Sequence, residues 1–339
     1  MVLLLFLFSL IFVIYTYLIY PAIIIAISSF RRKPVIDDDI ESSQLPSVTM
    51  IIVVRNEKNR VMDKLANCRE INYPEHLLEV CFVSDGSTDG TNEILSARQD
   101  ITFFEESEHL GKPAQLNNAV SRTNGDFIVF SDVRQRYEKD TLLKLTNNFK
   151  DPKIGAVSGE LHLDETGTST SRNIGLYWKY EKMIRKAESR LDSTVGVSGA
   201  IYAIRRNLFE PIPEDTILDD IEIPLNVIKK GYRVIFDSGA VAYDISHSDI
   251  RREWERKVRT LTGNFQLFRR NVWLFNPFKN RIFIQALSHK FFRLLIPYAL
   301  MVILITSSIV EGITFKIFFT GQIIAYSLGV AGLLFGNLN

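Results

Sequence analysis

Charge-free apolar stretches lie near both ends of the chain and enclose a long middle part of mixed polarity. These stretches cover residues 2–28, 294–310 and 317–335. A helix of about 20 apolar residues spans the core of a bilayer. The first stretch is too long for a signal-peptide core and has neither a basic start nor a small-residue cleavage site. The pattern therefore predicts a retained N-terminal anchor and a C-terminal hairpin of two spans. For the hairpin, a pair of buried core helices is the alternative.

Basic residues stand beside the predicted spans, on the side of the middle part. Residues 31–33 read Arg-Arg-Lys, and Arg281, Lys290 and Arg293 precede the second span. Basic flanks stay in the cytoplasm. This predicts a multi-pass protein of the cell (inner) membrane with a cytoplasmic middle part and an external N-terminus. No basic tail follows the last stretch, which leaves open that the sequence is a fragment lacking a further span.

Strand and helix patterns alternate in the middle part. The β-branched run at 48–54 is typical of a strand buried on both faces. Further strands are predicted at 79–84, 101–104 and 126–131, and helices at 57–69, 89–98 and 112–122. This alternation predicts an α/β domain with a mostly parallel sheet.

Composition narrows the function classes. The chain has 40 Lys+Arg against 39 Asp+Glu, and this net charge of +1 gives no sign of attraction to nucleic acid. The two cysteines, Cys68 and Cys81, are too few for a disulfide framework or a four-thiolate zinc site. They are typical of a reducing compartment.

Carboxylates follow three of the predicted strands. Glu57, Asp85 and Asp132 each stand at or just after a strand end, and ligands of open α/β sheets bind beyond the carboxyl ends of the strands. Converging carboxylates without histidines favour a hard divalent cation and a polyol-phosphate ligand. No G-x-G-x-x-G follows a strand and Gly111-Lys112 lacks the upstream glycine of a P-loop, which argues against a dinucleotide oxidoreductase and a P-loop enzyme.

Five segments in order resemble motifs of a known family. They are the strand with its Asn-Glu end at 51–57, an Asp-Gly-Ser-Thr-Asp loop at 83–89, a Gly-Lys segment at 111–117, Leu-Asp-Asp at 218–220 and Arg-Lys-Val-Arg-Thr at 256–260. The last two stand where the family has T-E-D and Q-x-x-R-W. This order resembles the membrane-anchored branch of glycosyltransferase family 2, which includes cellulose, chitin and hyaluronan synthases. The resemblance covers roughly residues 48–300.

The resemblance implies a GT-A-like nucleotide-sugar domain that transfers a sugar with inversion. Glu57 and Asp85 would bind the nucleoside of the donor, with UDP as the favoured nucleotide. Lys112 would offset the charge of the diphosphate, and Asp132 would hold Mg²⁺ or Mn²⁺. The alternatives are a helix-start residue for Glu57, a turn former for Asp85 and a solvated lysine for Lys112.

The chain departs from the family at two motifs. Arg134 replaces the second acid of D-x-D; it would bind the diphosphate directly or pair with a surface carboxylate. Arg256 and Thr260 replace the glutamine and tryptophan of Q-x-x-R-W, which weakens the case for a polymerase. Arg259 matches the motif arginine and is assigned to donor binding, with a lipid-headgroup contact as the alternative.

Two further assignments concern the acceptor. By register, Asp220 matches the base that takes the proton of the acceptor hydroxyl, and Asp219 stands beside it. Ser198 and Gly199 belong to a segment that resembles the acceptor side. The alternatives are an acid-rich helix start and a bare strand turn.

The predicted organisation has four parts. A transmembrane anchor at 1–30 precedes a cytoplasmic catalytic domain at 31–250, basic amphipathic interface helices at 251–293 and a transmembrane hairpin at 294–339. The predicted function is transfer of a sugar to a saccharide or lipid-linked acceptor in polysaccharide biosynthesis. Membrane lipids are expected partners and nucleic acid is not. The alternatives are a processive polysaccharide synthase and a non-catalytic assembly partner that binds nucleotide sugar or lipid.

Overall fold

The computed structural model describes residues 1–30, 45–164, 169–245 and 250–335. The chain separates into two compact units, Met1–Ala26 with Ser248–Asn339, and Ile27–His247. We call these the terminal unit and the central unit. The predicted basic flank at 31–33 lies outside the described residues.

Helices and strands are numbered along the chain. The helices are α1 (Val2–Ile14), α2 (Tyr20–Phe30), α3 (Lys58–Arg69), α4 (Thr91–Ser96), α5 (Lys112–Arg122), α6 (Thr141–Asn147), α7 (Ser169–Leu191), α8 (Asp219–Lys229), α9 (Ile250–Arg270), α10 (Phe283–Gln285), α11 (Phe292–Ile309) and α12 (Ile313–Phe335). The strands are β1 (Val48–Val54), β2 (Leu78–Asp85), β3 (Thr102–Glu106), β4 (Phe127–Asp132), β5 (Arg136–Tyr137), β6 (Ile154–Asp164), β7 (Ile201–Arg205) and β8 (Arg233–Ile245).

Within the described residues, the central unit contains an eight-stranded sheet in the order β3-β2-β1-β4-β7-β6-β8-β5. The first four strands in this order are parallel, as the sequence predicts. The run of β1 is almost entirely buried because side chains on both of its faces pack inside the unit. The carboxyl ends of β1, β2 and β4 therefore lie at one edge of the sheet.

The other half of the sheet is mixed. Strand β7 runs antiparallel to both β4 and β6, whereas β6 and β8 pair in parallel with two irregularities in register. The predicted α/β class is confirmed, and the antiparallel β7 makes the sheet mixed as a whole. Because β7 begins where β4 ends, the segment before β7 is brought to the same edge as Asp132.

The core of the central unit lies against the middle of the sheet. Met50, Ile52, Phe82, Val129 and Leu145 are buried there completely. Burial of one such side chain contributes about 1.5–3 kcal/mol relative to leaving it exposed. This packing holds the strands in register and fixes the polar residues at their ends.

The terminal unit contains long apolar helices. Three helices of the described residues are long and apolar enough to cross a membrane, Val2–Phe30, Phe283–Ile309 and Ile313–Gly332. The ring of Phe6 packs edge-on against Phe315 and Phe318, at 5.0 and 5.4 Å between centroids. These contacts join α1 to α12. The predicted apolar stretches therefore form helices, and all of these helices except residues 27–30 belong to the terminal unit.

Candidate functional site

Three parallel strands end at one edge of the central sheet, and each end carries an acidic residue singled out in the sequence. Glu57 stands before α3, Asp85 ends β2 and Asp132 ends β4. Helix α8 begins with Asp219 and Asp220.

Glu57 lies in a loop that is tied to the loop after β2. The preceding residue, Asn56, adopts a left-handed conformation with φ of 53°, and its side chain accepts a hydrogen bond from the Thr88 amide at 2.8 Å. The Glu57 amide donates to Thr91 Oγ1 at 3.0 Å. Its carboxylate pairs at 2.8 Å with Arg60, three residues further on in α3. The nucleoside contact of Glu57 stays a prediction.

Asp85 is buried and fixes the loop that precedes α5. Its carboxylate accepts hydrogen bonds from the Leu110 amide at 2.9 Å, the Gly111 amide at 3.2 Å and Gln115 Nε2 at 2.9 Å, and it contacts His109 Nδ1 at 2.7 Å. Burial would raise the pKa of Asp85, but these hydrogen bonds, led by that of Gln115, lower it below its ordinary value. Asp85 therefore orders the loop that leads into Lys112. Its nucleoside contact stays a prediction.

Lys112 joins two carboxylates at the centre of the site. Its Nζ lies 2.9 Å from Asp132 Oδ1 and 3.5 Å from Asp219 Oδ2. Burial would lower the pKa of Lys112, but Asp132, Asp219 and Asp220 raise it far above its ordinary value. Burial would raise the pKa of Asp132, but nearby positive charges, led by that of Lys112, lower it below its ordinary value. The result is an ammonium held between acids, and we call Lys112, Asp132, Asp219 and Asp220 the acidic cluster.

Arg134 forms an ion pair at the side of this cluster. Its guanidinium donates to Asp244 Oδ2 at 3.0 Å, and Gln135 Nε2 donates to the same oxygen at 2.8 Å. This agrees with the alternative in which Arg134 pairs with a neighbouring carboxylate, although Asp244 is buried and not on the surface. Arg134 still lowers the pKa of Asp132 through its charge. A contact of Arg134 with a diphosphate stays a prediction.

The two predicted acceptor residues lie beside the predicted base. The Ser198 amide donates to Ser158 Oγ at 3.0 Å, and the Val197 amide donates to the carbonyl of Asp220 at 3.0 Å. A Cβ at Gly199 would lie 3.2 Å from the Cβ of Asp220. The structure thus brings Ser198 and Gly199 to Asp220, and the roles of the three residues stay predictions. Arg259 lies on α9 in the terminal unit, and its role also stays a prediction.

Sequence reasoning missed Lys64, a buried lysine of α3. Its ammonium donates to Ser131 Oγ and to the carbonyl of Gln135, both at 2.7 Å. Burial lowers the pKa of Lys64 to about 8. Lys64 thereby fixes the turn that carries Asp132. The signal was present, since Lys64 falls on the apolar face of the predicted helix, three residues after Val61.

Tyr202 of β7 was missed as well. Its ring is fully buried and stacks on Phe130, with 4.6 Å between centroids. Among the described residues, its hydroxyl has no hydrogen-bond partner. No sequence signal marks it, because a tyrosine in a strand is expected in any core.

The acidic cluster offers an oxygen donor set for a hard cation. Within the described residues, no group of three or more His, Cys, Asp or Glu side chains is arranged to hold a metal ion. Mg²⁺, however, binds through one or two carboxylates and completes its shell with phosphate oxygens and water. Asp132 and the buried, unbonded Oδ2 of Asp219 both approach one ammonium. These residues fit a divalent cation that arrives with a phosphate ligand.

The central unit has a GT-A-like fold, and the comparisons with known proteins support a glycosyltransferase. Residues 49–212, a little under half of the chain, match the family described as Glycosyl transferase family 2. The match includes Glu57, Asp85, Lys112, Asp132 and Gly199, whereas Asp219 and Asp220 follow it.

Curated relatives match along most of the chain. The chain is 23% identical over 253 residues to a poly-beta-1,6-N-acetyl-D-glucosamine synthase of Staphylococcus aureus. That match covers 72% of this chain and 60% of the relative. It is 22% identical over 241 residues to the synthase of the same name in Staphylococcus epidermidis, covering 69% of this chain and 58% of the relative. The chain therefore spans about 60% of the length of the curated relatives that it matches.

Solved structures share the fold. A mannosyltransferase from Pyrobaculum calidifontis, in complex with GDP-Man and Mn²⁺, superposes with a TM-score of 0.75 at 23% identity. That match covers 96% of this chain and 92% of the mannosyltransferase chain. TarS of S. aureus superposes with a TM-score of 0.52 at 16% identity, covering 71% of this chain and 44% of TarS.

The three apolar helices mark the chain as a membrane protein.

Proposed function

We propose that the chain is an inverting glycosyltransferase of the membrane. It moves a sugar from a nucleotide sugar, with UDP as the favoured nucleotide, to a saccharide or lipid-linked acceptor. The observation that carries this proposal is the acidic cluster at the carboxyl edge of a family 2 domain. A diphosphate needs positive charge and a hydroxyl nucleophile needs a base, and the cluster offers both at one place.

Positive charge at the leaving group is the first requirement of the reaction. Charge develops on the phosphate oxygens as the glycosidic bond breaks, and preorganised cations stabilise it. Lys112 would supply such a cation. Its ammonium lies 2.9 Å from Asp132 and 3.5 Å from Asp219, at the carboxyl edge of the sheet. A divalent cation, Mg²⁺ or Mn²⁺, would be held by Asp132, which is supported by the Mn²⁺ in the complex of the Pyrobaculum mannosyltransferase. When bound, the cation would neutralise the diphosphate.

A base for the acceptor hydroxyl is the second requirement. Asp220 stands in the first turn of α8, directly after Asp219. Its neighbour Gly199 has no side chain, which leaves room beside the carboxylate. In the proposed reaction, Asp220 takes the proton of the acceptor as that hydroxyl attacks the anomeric carbon from the face opposite the leaving group. Inversion follows from this single displacement.

The membrane arrangement is part of the proposal. Three apolar helices and the basic residues beside them support a multi-pass protein with a cytoplasmic central unit. Helix α9 adds an exposed apolar row of Trp254, Val258, Leu261 and Phe265 at spacings of four, three and four residues. With basic residues such as Arg259 between them, this is the composition of a helix that lies on a lipid surface.

A processive synthase is the second candidate function. The similarity to poly-beta-1,6-N-acetyl-D-glucosamine synthases favours it. Thr260 in place of the motif tryptophan favours transfer of one sugar. A non-catalytic assembly partner is disfavoured, because the charged groups that transfer requires are together in one cluster.

A donor screen tests the proposal. Membranes that carry the full chain are incubated with labelled UDP-GlcNAc, UDP-glucose or GDP-mannose, and lipid and polymer fractions are counted separately. We expect one donor to label product with the parent and not with Asp220→Asn, while Asp100→Asn, an exposed acid paired with Arg69, transfers like the parent. Product of high mass selects the synthase and a single added sugar selects the transferase. Nucleotide binding without product from any donor selects the assembly partner.

A further inference from the structure

The unpaired hydroxyl of Tyr202 is the starting observation. The side chain is completely buried, and its hydroxyl makes no hydrogen bond among the described residues. A buried hydroxyl without a hydrogen-bond partner destabilises the folded state, so its presence needs a physical explanation. The ring itself is well accommodated, because it stacks on Phe130 at an interplanar angle of 26°.

Strand geometry directs this ring toward the acidic cluster. Tyr202 pairs with Phe130 across β7 and β4, and Asp132 follows Phe130 by two residues. Side chains two residues apart on a strand share a face of the sheet. The ring of Tyr202 therefore lies on the face that carries Asp132. After burial itself, Asp219 is the group that raises the pKa of Tyr202 most, followed by Asp220.

One carboxylate oxygen of Asp219 also lacks a hydrogen bond. Its Oδ2 is buried, makes no hydrogen bond among the described residues, and lies 3.5 Å from Lys112 Nζ. Lys112 is closer to Asp132, at 2.9 Å. A bound diphosphate would attract the Lys112 ammonium to its own oxygens. Asp219 would then lose the cation that neutralises its negative charge. A buried carboxylate then needs another donor.

We propose that Tyr202 is a positioning residue whose hydroxyl donates a hydrogen bond to Asp219 when Lys112 turns to the diphosphate of the donor. The inference rests on the proposed function, since it requires a nucleoside diphosphate at Lys112. The exchange of partners leaves Asp219 paired in both states. The first turn of α8 then stays in place, and Asp220 keeps its direction toward the acceptor.

Nucleotide affinity and the stability of the nucleotide-free protein test this proposal together. Tyr202→Phe removes the hydroxyl and keeps the ring on Phe130. The full chain in detergent is titrated with UDP and with GDP in the presence of Mn²⁺. For the nucleotide that the parent binds, we expect the Kd of Tyr202→Phe to rise about tenfold, because a hydrogen bond to a charged group is lost in the bound state alone. Without nucleotide, its melting temperature should equal or exceed that of the parent.

Tyr137→Phe is the matched control. Tyr137 is also buried, but its hydroxyl donates to the carbonyls of Phe130 at 3.1 Å and Ala200 at 3.0 Å. Its loss should lower the melting temperature without nucleotide and leave the Kd near the parental value. In an Asp219→Asn background, Tyr202→Phe should change the Kd by less than about twofold, since coupled groups are not additive.

Each contrary outcome has a distinct meaning. An unchanged Kd for Tyr202→Phe, a full tenfold effect in the Asp219→Asn background, or a lowered melting temperature like that of Tyr137→Phe overturns the inference. A parent that binds nucleotide and transfers no sugar overturns the proposed function alone, because the Kd comparison still stands. A parent that binds neither nucleotide overturns both.

Discussion

Gly199 lies against the side chain of Asp220. A Cβ on Gly199 would lie 3.2 Å from the Cβ of Asp220 and 3.5 Å from its Oδ2. The Cβ of Asp220 is fixed by the start of α8, so an added methyl group has to displace the carboxylate. Displacement of a catalytic group by a fraction of an ångström is costly, since about 1 Å can reduce rate 100-fold. We predict that Gly199→Ala lowers the rate of transfer about tenfold and leaves nucleotide affinity unchanged.

Gly239→Ala is the control for this prediction. Its added Cβ would meet Oδ1 of Asp237 at 3.2 Å, and Asp237 is not a member of the acidic cluster. Its rate of transfer should equal that of the parent. Equal rates for both alanine variants would show that Gly199 has no part in orienting Asp220.

Asp220→Asn separates chemistry from binding. An amide of the same shape cannot take a proton at neutral pH, and loss of a general base typically costs about 10²–10⁴-fold in rate. We therefore expect transfer to fall by that factor and the Kd of the nucleotide to stay near the parental value. Near-normal turnover of Asp220→Asn, measured with the donor found in the screen, would remove Asp220 from the role of base.

The first half of the sheet could be predicted from sequence because its strands are continuous apolar runs with polar ends. Lys112–Arg122 was predicted with its correct bounds, since Gly111 and the basic end give clear start and stop signals. The second half was not predicted. Strands β6 and β8 are long, irregular in register and interrupted by glycines, so their pattern does not show a simple period.

Positions in the site could be predicted, but partners could not. The topology brings strand ends together, and this was sufficient to place Glu57, Asp85 and Asp132 at one edge. The partner of Arg134 is Asp244, 110 residues away on β8, and local pattern carries no information about such a pair. Lys112 was expected to face the diphosphate, and in the structure it holds two acids together.

Asp85 makes stability depend on pH. Its folded pKa is lowered by hydrogen bonds, against an unfolded value of about 3.9. The stabilisation is therefore present above that value and is lost as the pH falls below it. We predict that Asp85→Asn destabilises the protein by about 2 kcal/mol at pH 7. The difference in melting temperature from the parent should shrink as the pH approaches 3.

Asp100→Asn serves as the comparison for Asp85→Asn. Asp100 pairs with Arg69 at 2.7 Å on the exposed surface. Exposed pairs contribute about 0–1 kcal/mol, so its effect at pH 7 should be small. A difference between parent and Asp85→Asn that stays constant from pH 7 to pH 3 would contradict the charged, hydrogen-bonded state of Asp85.

The orientation in the membrane is tested with introduced cysteines. Both natural cysteines are buried, so maleimide labelling should report the single introduced cysteine of each variant. Glu75→Cys and Glu214→Cys lie on the exposed surface of the central unit, and Glu311→Cys lies between α11 and α12. A membrane-impermeant maleimide added to intact cells should label Glu311→Cys and leave the other two unlabelled until the cells are opened. The reverse pattern would place the central unit outside.

The last prediction concerns how the diphosphate is neutralised. Lys112 and Arg134 both lie near Asp132, but they are held differently. The Lys112 ammonium is itself partly exposed and lies between the partly exposed Asp132 and the buried Asp219, so a phosphate can reach it. The Arg134 guanidinium is bound to the buried carboxylate of Asp244. Moving it would leave Asp244 with the Gln135 amide as its one side-chain donor among the described residues.

We therefore predict that Lys112→Met raises the Kd of the nucleotide at least about tenfold, because charge-assisted hydrogen bonds to the diphosphate are lost. Arg134→Met should leave the Kd near the parental value and lower the melting temperature, since Asp244 loses its cation. Asp132→Ala and a chelator should each abolish transfer, and Mg²⁺ or Mn²⁺ should restore it in the chelated parent. Metal-independent transfer by the parent would contradict the cation on Asp132. A rise in Kd for Arg134→Met equal to that for Lys112→Met would mean that Arg134 leaves Asp244 for the phosphate, so that the departure from D-x-D supplies charge to the donor.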